Sequence, residues 1–210
     1  MRTSFQNEPL VLGAGILLIL ILSGLDPVAD RLTWLLETVP VMIGLVLLTM
    51  TWQRFPLTPL LYRLLALHAV ILMIGGYYTY AEVPLFNTLR DSLDLSRNHY
   101  DRIGHLAQGF IPAILAREIL LRRSPLQAGR WLAFMVISIC LAFSAFYELI
   151  EWWVALASGE AAEAFLGTQG DPWDTQTDMF LALIGAIMAL LLLQRVHDRA
   201  LANLLSVNKP

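Results

Sequence analysis

Six stretches of the chain are apolar for most of their length: residues 10–25, 32–50, 60–80, 102–121, 130–153 and 178–194. A helix that crosses a bilayer needs roughly 20 mostly apolar residues. The runs are continuous and no alternation of period two recurs, so the pattern predicts helices and argues against strands. The reading is all-α: a polytopic membrane bundle of about six spans forming one integral membrane domain over residues 1–210. The first stretch resembles a signal peptide in length, but no small-x-small cleavage site follows it, so it counts as a span. The fourth is the least apolar, with His105, Gln108 and Pro112 inside it. Its polarity implies a helix surrounded by protein rather than lipid.

Composition supports the membrane class. Hydrophobic residues make up 57% of the chain and charged ones 15%, with mean hydropathy +0.63, where a soluble domain carries about 25% charged residues. No basic run or RNA-binding motif occurs, which argues against a nucleic-acid partner. Cys140 is the single cysteine, so no intrachain disulfide forms.

Charge then sets the orientation. With six spans and an inside N-terminus, Arg2, Arg54, Arg63 and the group Arg117, Arg122, Arg123 and Arg130 fall on the cytoplasmic side, as do Arg195, Arg199 and Lys209. Only Arg31, Arg90, Arg97 and Arg102 fall outside. Basic residues collect on the cytoplasmic side of membrane proteins, so both termini are expected in the cytoplasm of a bacterial inner-membrane protein. Dropping the fourth span would put the last three basic residues outside. All six tryptophans, Trp34, Trp52, Trp131, Trp152, Trp153 and Trp173, fall near span ends, where the headgroup layer favours them. The loops at residues 81–101 and 154–177 exceed the usual ~4–6 residues and are expected to act as lids or interfacial segments.

Polar residues concentrate at three span ends that this topology places on the outer face. Asp101 and His105 are four apart on one helical face, with Gln108 a turn deeper. Glu148 and Glu151 share a face of the fifth span, beside Ser144 and Tyr147. Asp174 and Asp178 stand at the entrance to the sixth. Carboxylates gathered at one depth repel, so protons or a cation must compensate. Asp101, His105, Glu148, Asp174 and Asp178 are therefore candidate ligands for a divalent metal such as Mg²⁺, Mn²⁺, Fe²⁺ or Zn²⁺. Asp101, His105, Glu148, Glu151 and Asp178 are the candidate catalytic groups, because paired carboxylates can divide acid and base roles. Arg102, Gln108 and Tyr147 are candidate substrate contacts, with Arg102 facing an anionic head group. The bland alternatives are helix-start acids at Asp174 and Asp178, pairing of Asp101 with Arg102 or its capping of the fourth span, and a structural ion pair of Glu148 and Glu151 with Arg102 or Arg97. His68 is expected to be a hydrogen-bonded core histidine. Gly75 and Gly76 are expected to allow close helix packing, and Tyr77, Tyr78 and Tyr80 to form an interface belt.

These residues carry a resemblance. His99-Tyr100-Asp101-Arg102-Ile103-Gly104-His105, Tyr147-Glu148-Leu149-Ile150-Glu151-Trp152-Trp153 and Gly167-Thr168-Gln169-Gly170-Asp171-Pro172-Trp173-Asp174-Thr175-Gln176-Thr177-Asp178, followed by Gly185, resemble the YjdF-type family of bacterial inner-membrane proteins along the full length. The resemblance implies a multi-pass inner-membrane protein and supplies no reaction. More distantly, the pattern is similar to the VanZ-like family, which is linked to resistance against some glycopeptide antibiotics. Asp101 and His105 match that family's first motif, with Arg102 in place of Lys. Glu148 matches its Glu, with Glu151 where Gln would stand, and Asp178 and Gly185 match its last motif, with Ala182 at the Asn position.

The expected function is a hydrolase or transferase, with or without a metal, acting on a lipid or lipid-linked envelope precursor at the outer face. The alternatives are a small-molecule or proton-coupled transporter and a non-enzymatic membrane subunit. Transport needs polar groups continuing inward, and spans four to six read as almost purely apolar in their inner halves.

Overall fold

The computed structural model describes residues 4–158 and 168–207. Gly167, the middle of the second long loop, Arg2 and Lys209 lie outside the described residues. Among the described residues every regular element is helical. Six long helices run α1 Ser4–Leu25, α2 Arg31–Thr51, α3 Pro59–Tyr78, α5 Tyr100–Arg123, α6 Arg130–Ser158 and α7 Asp174–Val207, with a short α4 at Pro84–Ser92. All but α4 and α5 are long and apolar enough to cross a membrane. α5 has the length, at 24 residues, but carries charge near both ends.

The helix starts are written locally. Asp30 caps α2 by accepting from Leu32 N and Thr33 N at 2.9 and 3.0 Å, and the same bonds hold its carboxyl below the usual range, led by the Thr33 hydroxyl. Thr58 caps α3, with Pro59 in the first turn, where its missing N–H costs nothing. α7 runs past the expected end at residue 194 to Val207, and His197 in this continuation is buried against α5.

The long helices alternate in direction. Ala29 N donates to Tyr77 O where the α1–α2 turn meets the end of α3, and Thr58 at the start of α3 meets Glu118 near the end of α5. Asp101 of α5 lies beside Asp178 of α7, while Arg117 of α5 meets His197 of α7, so these two helices are parallel. The bundle therefore has a terminal end, where the described chain begins and finishes, and a distal end opposite it. Six passes follow from this alternation only if α5 is one of them.

α5 and α7 touch backbone to backbone. A Cβ on Gly109 would collide with Ala182 O, and one on Gly185 with Leu106 O and Phe110 N. Ala113, Ala182, Ala186 and Ala189 are fully buried along the same seam. Small residues let membrane helices approach closely and gain dispersion contacts that lipid cannot supply. On the other side of α5, Gly75 and Gly104 make room for the Tyr80 ring. Tyr80 is thus a buried wedge between α3 and α5 rather than part of an interface belt. Gly76 packs on Glu37 and Thr38 of α2, as its size suggested. The loop at residues 81–101 holds α4, which with its cap residue Leu93 exposes Leu85 and Leu89 on one face, the form of an interfacial helix.

Candidate functional site

The seam brings the three polar patches together at the distal end. Asp101, His105, Glu148, Asp174 and Asp178 are all buried. His105 lies at the centre. Its Nε2 is 3.4 Å from Asp101 Oδ1 and 3.9 Å from Asp178 Oδ2, and its Nδ1 is 3.9 Å from Glu148 Oε1. His105 Nδ1, Glu148 Oε1 and Ser144 Oγ are buried without a hydrogen-bond partner. Buried polar atoms are nearly always satisfied, so three such atoms in one place ask for an explanation.

Two arginines close the outer side. Arg97 Nη1 binds Asp174 Oδ1 and reaches Asp171 Oδ2 at 3.5 Å, and its Nη2 lies 3.4 Å from Asp101 Oδ2. Arg102 Nη1 binds Asp178 Oδ1 at 3.0 Å, and its Nη2 binds Asp171 Oδ2 at 2.8 Å and Asp174 Oδ1 at 3.1 Å. Asp101 thus pairs with Arg97 and not with Arg102. Both Nη atoms of Arg102 are occupied, so the head-group contact expected of it requires Asp171, the most exposed partner, to give way. The Trp173 backbone N–H does most to hold the Asp171 carboxyl below the usual range; burial opposes it, and Arg102 and Arg97 add to the lowering. A depression of about 410 Å³ lined by Thr168, Gly170, Asp171, Pro172, Asp174 and Thr175 lies over this pair.

Asp101, His105 and Asp178 each offer a ligand atom within 4.8 Å of the others. Donors at ~2.1 Å from one ion lie at most ~4.2 Å apart, so this set needs to close by about half an ångström around a small divalent cation. Asp174 is turned to the arginines instead. Glu148 stands on the far side of the imidazole, where a carboxylate typically orients a metal-bound histidine. Tyr147 donates to Glu37 Oε2 at 3.4 Å, and Glu151 has only other carboxylates, Glu148, Glu37, Asp101 and Asp178, within electrostatic reach and makes no ion pair among the described residues. Gln108, a turn deeper, joins no hydrogen bond of the cluster.

Residues 8–199 match the family model described as "Predicted membrane protein (DUF2238)". The chain belongs to this family. The inner membrane protein YjdF of Escherichia coli (strain K12) is 53% identical over 197 residues, which cover 92% of this chain and 94% of that protein. No solved structure gives a significant match. The chain is therefore a multi-pass helical protein of the bacterial inner membrane, as the YjdF-type resemblance implied. The VanZ-like resemblance is not shown by these findings.

The sequence reading missed several residues of the distal end. Glu37 is buried beside Tyr147 and Gly76; an ionisable group inside an apolar run was the available signal. Asn98 is fully buried, and Gln169 pairs with its backbone N and O, both at 2.9 Å, tying the loop before α5 to the turn before α7. No sequence pattern announces that clasp.

A second polar cluster at the terminal end was also missed. Glu118 accepts from Thr58 Oγ1 at 2.8 Å, Thr58 N at 3.1 Å, Arg122 Nη1 at 2.7 Å and His197 Nε2 at 3.0 Å. Arg117 donates to His197 Nδ1 at 2.8 Å and to Asp198 at 2.6 Å. An arginine donating to Nδ1 leaves Nε2 as the proton-bearing nitrogen, so His197 is neutral. The almost purely apolar inner halves that the sequence suggests are thus corrected: α5 and α7 carry a buried polar cluster at this end. His68 also differs from expectation: its Nε2 is buried and has no hydrogen-bond partner.

Proposed function

We propose that this protein is a metal-assisted hydrolase or transferase that acts on a lipid or lipid-linked envelope precursor at the outer face of the inner membrane. One observation carries the reading: a buried histidine faces carboxylate oxygens from both ring nitrogens, with none of those oxygens closer than 3.4 Å. An ion held by Asp101, His105 Nε2 and Asp178 accounts for the spacing and for the surplus of carboxylate over guanidinium. Such an ion polarises a phosphoryl or ester oxygen and lowers the pKa of a bound water.

The surrounding groups take roles from their positions. Glu148 accepts the His105 Nδ1 proton and fixes the tautomer that leaves Nε2 for the metal. Glu151, without an ion pair, is the carboxylate left to accept a proton from water. Arg102 meets an anionic head group as Asp171 swings out. The excess of basic residues at the terminal end supports a cytoplasmic location for both termini and an outer location for the site. The closed seam at Gly109, Ala182 and Gly185 disfavours a proton-coupled transport path between the two ends.

Metal analysis of detergent-purified protein is the test. Wild type should retain close to one divalent ion, Asp178→Asn should retain none, and Glu148→Ala should weaken binding by about 10- to 100-fold. Phosphate release from a polyprenyl diphosphate should then follow metal content across the three proteins. Protein that takes up no divalent ion at millimolar supply overturns the metal-assisted reading.

A further inference from the structure

α4 occupies nine residues, Pro84–Ser92, between the end of α3 and the start of α5. Successive residues turn about 100° around a helix, so its side chains sort into three sectors. Phe86, Asn87 and Arg90 face the bundle: all three are partly buried, and the Phe86 ring packs edge-on against Tyr100 at 5.3 Å. Thr88, Asp91 and Ser92 form an exposed polar sector. The third sector is Leu85 and Leu89, continued by the cap residue Leu93, which are 65%, 40% and 63% exposed. Asp91 lies about 200° around from Leu89, so polar groups back the leucines. An exposed apolar stripe rimmed by polar residues marks a surface that something covers.

The size and chemistry of the stripe fit lipid rather than protein. A specific protein interface draws ~20–30 residues from each side and is anchored by Trp, Tyr and Arg, with Leu under-represented. α4 has nine residues in all, one sector of them free, and its single aromatic ring is turned inward. The helix is also held at the level where the spans end. Tyr80 and Val83, which lead from α3 into α4, are buried in one cluster with Tyr100 at the start of α5. Asn98, fully buried, donates from Nδ2 to Val83 O at 3.0 Å and to Asn87 Oδ1 at 2.8 Å. Leucines fixed at a span end meet the boundary between head groups and acyl chains, where a surface helix buries its apolar face ~5–10 Å deep.

We propose that α4 is a lipid-docking arm: its leucine stripe lies in the boundary between head groups and acyl chains at the distal end, and Asn98 passes that placement to the distal cluster. Every polar atom of Asn98 enters the connection. Its Nδ2 holds the start of α4, its Oδ1 accepts from Tyr100 N at 3.0 Å, and its backbone N and O pair with Gln169. Gln169 lies two residues before Asp171, and Arg97 directly precedes Asn98. A shift of α4 in the membrane therefore moves a guanidinium and a carboxylate that close the outer side of the cluster. The inference stands apart from the metal and from the reaction.

The test uses the full chain in nanodiscs of phosphatidylethanolamine and phosphatidylglycerol. Cys140 is buried, so a thiol introduced by Leu89→Cys is the one that takes an NBD dye, with Asp91→Cys as the water-facing control. Lipids with a nitroxide near the top of the acyl chain should quench the Leu89→Cys dye about twofold more than lipids with it at the chain end. The Asp91→Cys dye should instead be quenched by iodide in the water. Leu85→Ser combined with Leu89→Ser should unseat the arm and speed amide exchange at the start of α5 about tenfold, the loss of one hydrogen bond. Asn87→Ala should speed the same exchange while the Leu89→Cys dye stays quenched by lipid, which separates docking from its transmission. Equal lipid quenching at the two positions, or a Leu89→Cys dye reached only by iodide, would overturn the docking. So would a dye shielded from both quenchers in a cross-linkable dimer, where a second copy covers the stripe. Unchanged exchange in the double serine variant would overturn the link to the cluster.

Discussion

At the terminal end, Glu118 is surrounded by Thr58, Arg122 and His197, and Arg117 spans His197 and Asp198. Two arginines face two carboxylates across a neutral imidazole, and every group named has a partner. At the distal end, Arg97 and Arg102 face Asp101, Asp171, Asp174 and Asp178, Glu148 stands beyond His105, and polar atoms of His105 and Glu148 remain unmatched. α5 and α7 contribute to both clusters. Burial of charge does not separate them; balance does. A closed network stiffens a fold, whereas one with surplus charge and open atoms is arranged for something else.

The strongest way to break the comparison is to remove what the clusters share. Gly109→Leu or Gly185→Leu drives a side chain into the α5–α7 seam and should abolish monodisperse protein, read by size-exclusion chromatography in detergent. Both clusters should fail together. Next, Glu118→Ala takes the carboxylate from Arg122 and leaves the Thr58 donors and His197 Nε2 without their buried acceptor, and should cost about 3–5 kcal/mol, seen as a large drop in Tm. Glu148→Ala, made at equal burial, should leave Tm nearly unchanged or raise it without metal, because it relieves repulsion. If both cost the same, the two clusters are alike and the functional reading fails.

Cation dependence sharpens the contrast further. Divalent metal at about 100 times its Kd should stabilise wild type by about 2.7 kcal/mol and leave Asp178→Asn unmoved. Gln169→Ala should cost about 1 kcal/mol by opening the clasp on Asn98, read as faster hydrogen exchange at the start of α5. The smallest effect is acidic. The Asp171 carboxyl titrates below its ordinary value in the folded protein, so its contribution is full above pH ~4 and fades as pH falls through the lowered value. Asp171→Asn should remove this low-pH loosening, followed by Trp173 emission.

Much of this was legible in the sequence. The helix count and most helix bounds follow hydropathy, although the last helix overruns its apolar stretch, and the spacing of Asp101 with His105 and of Glu148 with Glu151 gave one face per helix. Charge bias kept α5 in the bundle, although hydropathy alone omits it. Gly185 was noted for the motif it completes, yet its physical role as backbone contact needed the partner helix. What stayed hidden depended on pairing across the fold. Arg117 counts in the sequence only as a cytoplasmic basic residue, and Glu118 and His197 carry no signal, until α5 and α7 are laid side by side. Tyr80 read as an interfacial ring because nothing local shows that Gly75 and Gly104 face each other.

The parallel α5–α7 seam also constrains how the protein is made. α5 bears Asp101, His105, Arg117 and Glu118, all of them buried against later parts of the chain, Asp174, Asp178 and His197 among them. When α5 leaves the ribosome those neighbours do not yet exist, and a helix with these charges partitions poorly into lipid alone. α6 and the loop after it must be synthesised first. α5 therefore has to be sheltered in the insertion machinery, or held at its edge, until α7 arrives and the two helices enter the bilayer as a unit.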